Sequence, residues 1–182
     1  MGIKYHIRSG LSSENKKYFE ENRGREPLHF TGRYVKLYAT NRSGGRGQRG
    51  ERMIRESMEN YLETIYVLLQ RKGQVRSIDV CNEMGYSKPT ISVMMKQFRE
   101  NGYVEMDGSG HITLTEAGLE IGRRTYERHQ VLSEMLMMLG VRREVALEDA
   151  CRIEHDISQE TFACIRRHME EHKKHTGDGS FV

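Results

Sequence analysis

Cys151, Glu154 and His155 set a thiol, a carboxylate and an imidazole at i, i+3 and i+4. On a helix the three side chains would share one face. They are one soft, one hard and one borderline ligand, so the chemistry open to them is to hold a divalent transition metal. Three donors fall short of an ordinary site, which needs one to three more. His129 is a candidate if the long segment carrying it folds back against the Cys151 segment as an antiparallel neighbour. Asn60 and Glu63, at i and i+3, offer an amide oxygen and a second carboxylate. His168, His172 and His175 form a separate set at i, i+4 and i+7. That set lies in a Lys/Glu-rich helix end and reads as a solvated face, although a His pair one turn apart can hold a metal.

The elements that must position these residues belong to a chain of 182 residues, enough for one ordinary domain or two small ones. No apolar run approaches the roughly 18–20 residues of a membrane span, and the N-terminus lacks the apolar core of a secretory signal. Three cysteines without disulfide-like spacing fit a reducing compartment. The expected location is cytoplasmic, with no membrane partner. The formal charge of +3 hides an asymmetry. Residues 1–55 carry 13 Lys and Arg against 5 Asp and Glu, whereas residues 56–182 carry 16 against 21. The acidic remainder suits a DNA-binding part better if bound cations neutralise some of it.

Residues 1–52 end in a Gly/Arg-rich stretch and read as a basic, disordered N-terminal extension. From Ser57, a candidate cap, Met58, Tyr61, Leu62, Ile65, Leu68 and Leu69 recur at helical spacing until Gly73. Ser77 is expected to cap a short second helix with Ile78, Cys81 and Met84 inward, closed by Gly85. Ser87 caps a third, with Pro89 in its first turn, Ile91, Met94, Met95 and Phe98 as its apolar stripe, and Gly102 as its stop. Two strand-like runs, Tyr103–Met106 and His111–Thr115, flank the turn residues Asp107 to Gly110. That order is a winged helix-turn-helix, expected over residues 53–118. Residues 119–175 should follow as a helical metal-binding and dimerisation domain, and 176–182 as a frayed tail. Its first helix spans about Glu116 to Leu139, with Leu119, Tyr126, Val131, Met135 and Met138 on the apolar side. A second covers about Arg143–Asp156 and a third, capped by Ser158, about Gln159–Lys173. The fold class is therefore mainly α. So few helices close a monomeric core with difficulty, which points to a homodimer.

Ser87, Lys88, Pro89, Thr90, Ser92 and Lys96 mark the expected DNA-reading surface, because short polar side chains and lysines meet phosphates and base edges in the major groove. The wing tip, Asp107 to His111, has no Lys or Arg, so the helix should dominate over the wing.

Ser57-Met-Glu-Asn-Tyr-Leu-Glu-Thr-Ile-Tyr66, Ser87-Lys-Pro-Thr-Ile-Ser92, Ile112-Thr-Leu-Thr-Glu-Ala-Gly118, Tyr126-Glu-Arg-His129 and Glu148-Asp-Ala-Cys-Arg-Ile-Glu-His155 resemble the diphtheria toxin repressor / manganese transport regulator family. The resemblance covers about Met53–Lys174. It implies a homodimeric, metal-dependent repressor acting on a double-stranded DNA operator, with no enzymatic activity and no small organic substrate. It places the metal positions on Asn60, Glu63, His129, Cys151, Glu154 and His155. Manganese-type members share the short length but carry Asp at the Asn60 position and Glu at the Cys151 position. Iron-type members carry Cys there, but Met at the Asn60 position and a third domain. Leu147 and Ser133 stand where an ancillary iron-type site would have His and Glu. The thiol shifts preference away from a two-manganese centre. Fe²⁺ or Mn²⁺ are the first expectations, then Co²⁺, Ni²⁺ and Zn²⁺. The alternative is a winged-helix regulator that answers a small organic ligand or thiol oxidation.

Overall fold

The computed structural model describes residues 48–177, with side chains described for residues 56–172. The expectation of a disordered arm falls largely outside the described residues, except that residues 48–52 are helical. The helices are α1 Gln48–Lys72, α2 Ser77–Met84, α3 Lys88–Glu100, α4 Glu116–Met138, α5 Arg143–Ile153 and α6 Gln159–Gly177. The strands are β1 Val75–Arg76, β2 Val104–Met106 and β3 His111–Leu114. The chain separates into two compact units, with the division between Arg123 and Arg124.

In the first unit α1 supplies the central core residues. Leu62, Ile65, Tyr66 and Leu68 are fully buried along its helical stripe. Against them pack Val80 and Met84 of α2, Ile91, Met95 and Phe98 of α3, and Val75, Val104, Ile112 and Leu114 of the sheet. Each such side chain removed from water contributes about 1.5–3 kcal/mol before the entropy of ordering is subtracted. Tyr61 stacks on Tyr86 and meets Phe98 edge-on, both at 5.7 Å between centroids. The sheet is antiparallel in the order β1-β3-β2, with Val75 opposite Ile112 and Glu105 opposite Thr113.

Several local expectations change. α1 continues N-terminal to Ser57, so that serine is not its cap. Ser77 opens α2 rather than capping it; the Asp79 carboxylate accepts the Arg76 amide at 2.9 Å instead. The β-branched Val80 turns inward, and Ile78 lies 43% exposed. Ser87 does cap α3, accepting the Thr90 amide at 3.4 Å, and Thr115 accepts the Gly118 amide at 3.2 Å at the start of α4. Gly118 is there for lack of room: a Cβ would stand 2.0 Å from the Tyr103 carbonyl oxygen.

The second unit holds the rest of α4, then α5 and α6. Gly140 turns the chain at φ 90°, and Val141 donates back to the Leu136 carbonyl at 3.0 Å. Its buried apolar residues include Tyr126, Leu132, Ala146, Leu147, Ala150, Phe162 and Met169. Ala146 and Ala150, one turn apart, keep that face of α5 slim. Met138, expected to face inward, is 54% exposed beside Leu139 at 75%, where α4 ends and no described residue covers it. Ser158 caps α6 as expected, accepting the Thr161 amide at 3.1 Å. α6 runs on to Gly177, so the fraying expected from residue 176 does not begin there, and residues 178–182 lie outside the described ones.

Candidate metal centre

The Cys151 segment is helical only to Ile153. Glu154 keeps right-handed helical angles (φ −57°, ψ −28°), so Cys151 and Glu154 retain their i, i+3 proximity. His155 lies just past the helix, in the turn that follows. The three ligand types therefore do not share one regular helix face to its end. α4 supplies what α5 lacks. His129 Nδ1 stands 3.0 Å from Glu154 Oε2, with both side chains almost wholly buried. One donor atom from each of His129, Cys151 and Glu154 lies within 4.8 Å of the other two. Among the described residues this is the one group of three or more His, Cys, Asp or Glu so placed. His155 joins through the carboxylate, its Nε2 3.4 Å from Glu154 Oε1. Its backbone is partly open, but its side chain is 2% exposed.

The chemistry of this set follows from its burial. A carboxylate with 1% exposure is costly unless paired or hydrogen-bonded. Nδ1 and a carboxylate oxygen at 3.0 Å need a proton between them, since two lone pairs would repel. A cation can take that proton's place, and metal binding releases protons in this way. A thiol, an imidazole and a carboxylate converging in a buried site thus fit a divalent transition metal as a donor set.

Arg128, which the sequence reading passed over, holds the end of α5. Its Nη1 donates to the Glu154 carbonyl at 2.7 Å and to the Ile157 carbonyl at 3.3 Å, and its Nη2 to Gln159 Oε1 at 3.0 Å. The guanidinium lies 5.2 Å from the Phe162 ring centroid. Helix C-termini leave carbonyls without intrahelical partners, and a cation there is favourable on both counts. The only sequence signal was a basic residue adjoining His129.

Asn60 and Glu63 are 5% and 1% exposed on α1, in the first unit. Their positions at i and i+3 give them one helix side, and Thr64 donates to the Asn60 carbonyl at 2.8 Å. Within the second unit the structure brings together His129, Cys151 and Glu154, with His155 against the carboxylate; within the first, Asn60 and Glu63 are both buried on α1. His168 and His172 are exposed on α6, and the side chain of His175 lies outside the described residues.

The expected reading surface is laid out on α3. Ser87, Lys88, Pro89, Thr90, Ser92 and Lys96 are all exposed, opposite buried Ile91, Met95 and Phe98. Val93, absent from that expectation, is 57% exposed among them. In the wing, Asp107 accepts the His111 and Ser109 amides, each at 2.9 Å. Those bonds, the His111 amide foremost, hold its carboxyl below the usual carboxylate range. No helix among the described residues is long and apolar enough to cross a membrane.

The sequence pattern described as the iron dependent repressor N-terminal DNA binding domain matches residues 53–112. The pattern described as the iron dependent repressor metal binding and dimerisation domain matches residues 115–179. The transcriptional regulator MntR of Escherichia coli O6:H1 is 34% identical over 118 residues, covering 65% of this chain and 76% of that protein. The HTH-type transcriptional regulator MntR of Lysinibacillus sphaericus is 32% identical over 102 residues, 56% of this chain and 73% of its own length. Among solved structures, the manganese regulator SloR matches with a TM-score of 0.55 at 24% identity. The metal-dependent transcriptional regulator MtsR matches with 0.58 at 22%. Each match covers 62% of this chain and 53% of the solved one, and at that identity the likeness is one of fold. A winged helix with an open polar face on α3, a helical unit with a buried thiol–imidazole–carboxylate cluster, and these relatives agree: the chain belongs to the iron-dependent repressor family of metal-dependent transcriptional regulators.

Proposed function

We propose that this chain is a homodimeric, cytoplasmic repressor of metal-homeostasis genes that reads a double-stranded operator with α3 when His129, Cys151, Glu154 and His155 hold a divalent transition metal. The observation that carries the proposal is the convergence of His129, Cys151 and Glu154 donors within 4.8 Å in a buried setting. Asn60 and Glu63 complete the ligand set in this reading, on the strength of the family resemblance and of their burial on α1. The apolar Met138 and Leu139, exposed at the end of α4, suit a partner subunit.

When bound, the ion supplies positive charge that offsets the buried carboxylates and a set of bonds that the protein's hydrogen bonds alone do not provide. The residues do the rest. His129, Cys151 and Glu154 would hold the ion as neutral imidazole, thiolate and carboxylate, with the proton shared by His129 and Glu154 and the Cys151 thiol proton released to solvent. Arg128 keeps the Glu154 backbone in place throughout. Ser87, Lys88, Pro89, Thr90, Ser92 and Lys96 face the major groove. A two-fold dimer would then present two α3 helices to half-sites about 34–36 Å apart, or a multiple. The thiolate favours Fe²⁺, Co²⁺, Ni²⁺ or Zn²⁺ over a plain manganese centre. The alternative of sensing by thiol oxidation suits Cys151 poorly, because the residue is 4% exposed and reactive cysteines are accessible.

The test is an anaerobic titration of operator binding with each of Mn²⁺, Fe²⁺, Co²⁺, Ni²⁺ and Zn²⁺. Wild type should bind only with metal. The Glu154→Ala/His155→Ala variant, and the isosteric Glu154→Gln, should lose the metal response while circular dichroism confirms the fold. Metal-dependent binding that survives in both folded variants would sink the reading. Cys151→Glu should move the preference toward Mn²⁺.

A further inference from the structure

We propose that His168 and His172 form a second, solvent-facing site that chelates a borderline divalent ion (Ni²⁺, Cu²⁺, Zn²⁺ or Co²⁺) independently of the buried cluster. The two residues lie one turn apart on α6, where i and i+4 side chains meet. Their ring centroids are 4.7 Å apart at an interplanar angle of 71°. Both side chains are exposed, so an ion reaches them without opening the protein. The helix beneath is pinned: Phe162 and Met169 are buried, the Ser158 hydroxyl caps the first turn, and Arg166 donates to Glu127 of α4 at 3.0 Å. The spacing of the pair is therefore set by structure, not by chance encounter of two mobile side chains. Two imidazoles held in advance bind as a chelate, because the second donor acts at high effective concentration once the first is engaged. An all-imidazole pair suits Ni²⁺, Cu²⁺, Zn²⁺ and Co²⁺ and serves Mn²⁺ poorly. The remaining positions on the ion stay with water. Cys164 lies one turn earlier and is also exposed, but at i and i+8 it is too far along the helix to share an ion with His172. The chain would thus hold two metal sites of opposite character, one buried with mixed donors and one open with nitrogen donors.

The experiment is calorimetric titration of the full-length, tag-free, metal-depleted protein with NiCl₂. Wild type should show one equivalent per subunit more than His168→Gln/His172→Gln. The exchange Glu170→His/His172→Glu keeps composition and charge but puts the two imidazoles at i and i+2, on different sides of the helix. It should weaken that added equivalent on the order of a hundredfold. Paramagnetic Ni²⁺ should broaden the ring signals of His168 and His172 in wild type, and Cys164→Ser should change nothing. Metal-dependent operator binding should be the same in His168→Gln/His172→Gln as in wild type. Equal stoichiometry and affinity in wild type and the exchanged variant would overturn the proposal. So would a loss of metal-dependent operator binding in His168→Gln/His172→Gln, since the pair would then not be independent of the buried cluster.

Discussion

The two units differ in how much of their core is built from ionisable side chains. In the winged-helix unit ion pairs such as Arg71–Glu83, Lys72–Asp79 and Lys96–Glu100 lie at the surface, above a mainly aliphatic and aromatic core that also buries Asn60 and Glu63 on α1. In the second unit the apolar core is thinner, and its centre includes Glu154, His129 and Ser133. Exposed pairs contribute little, about 0–1 kcal/mol each, so the first unit rests on packing and close backbone approach. The second includes a buried polar cluster, whose net contribution depends on how fully its charges are paired. A DNA reader has to keep one shape, whereas a sensor has to change its free energy when its ligand arrives.

Four measurements would break or sharpen this contrast. The largest effect is expected at Gly118, where a methyl group has no room against the Tyr103 carbonyl. Gly118→Ala should cost about 3 kcal/mol by chemical denaturation, by the same amount with and without metal. A cost that metal relieves would mean that packing in the first unit is not separate. Next, Zn²⁺ or Fe²⁺ at a hundredfold over its Kd should stabilise the second unit by about 2.7 kcal/mol and raise its melting transition, reversibly with chelator. Stabilisation that appears only in the first unit's transition would reverse the contrast. Third, Arg128→Leu removes the donor to the Glu154 and Ile157 carbonyls. It should cost about 2 kcal/mol and weaken metal affinity roughly tenfold, the scale of outer contacts on a metal site. Unchanged affinity would show that Arg128 only caps a helix.

The smallest effect belongs to Asp79. Its carboxyl is held below the usual range by the Lys72 ammonium and then by the Arg76 amide. Because the folded pKa is the lower one, the stability it contributes is present above its unfolded pKa, near 3.9, and is lost as pH falls through the folded value. Asp79→Asn should cost about 1 kcal/mol at neutral pH, the scale of a lost helix cap, and the difference from wild type should shrink in acid. A difference constant down to pH 2 would place the effect elsewhere.

What could be read in the sequence was local. The caps at Ser87 and Ser158, the glycine stop after α1, and the hairpin around Asp107 each depend on a few neighbouring residues. The i, i+3 relation of Cys151 and Glu154 was legible for the same reason. β1 was not, since two residues become a strand only by pairing with His111 and Ile112 far along the chain. The start of α1 was missed because Gln48–Arg55 has helix-forming residues but no apolar stripe to announce them. The approach of His129 to Glu154 needed the antiparallel turn at Gly140. The grip of Arg128 on four partners needed the final positions of α5 and α6. Met138 shows a further limit, since helical periodicity says which side is apolar but not whether the chain itself covers it.

The depth of the His129–Cys151–Glu154 cluster also has a consequence in time. With His129, Cys151 and Glu154 at 3%, 4% and 1% exposure, nothing reaches the donors without a local opening of the helices. Such openings run from microseconds to seconds. An ion lodged there would leave at the pace of that opening, and a chelator added in excess would be kept waiting at the same rate whatever its concentration. The response to metal withdrawal would then lag behind the surroundings, so that the occupied protein carries a short record of recent supply.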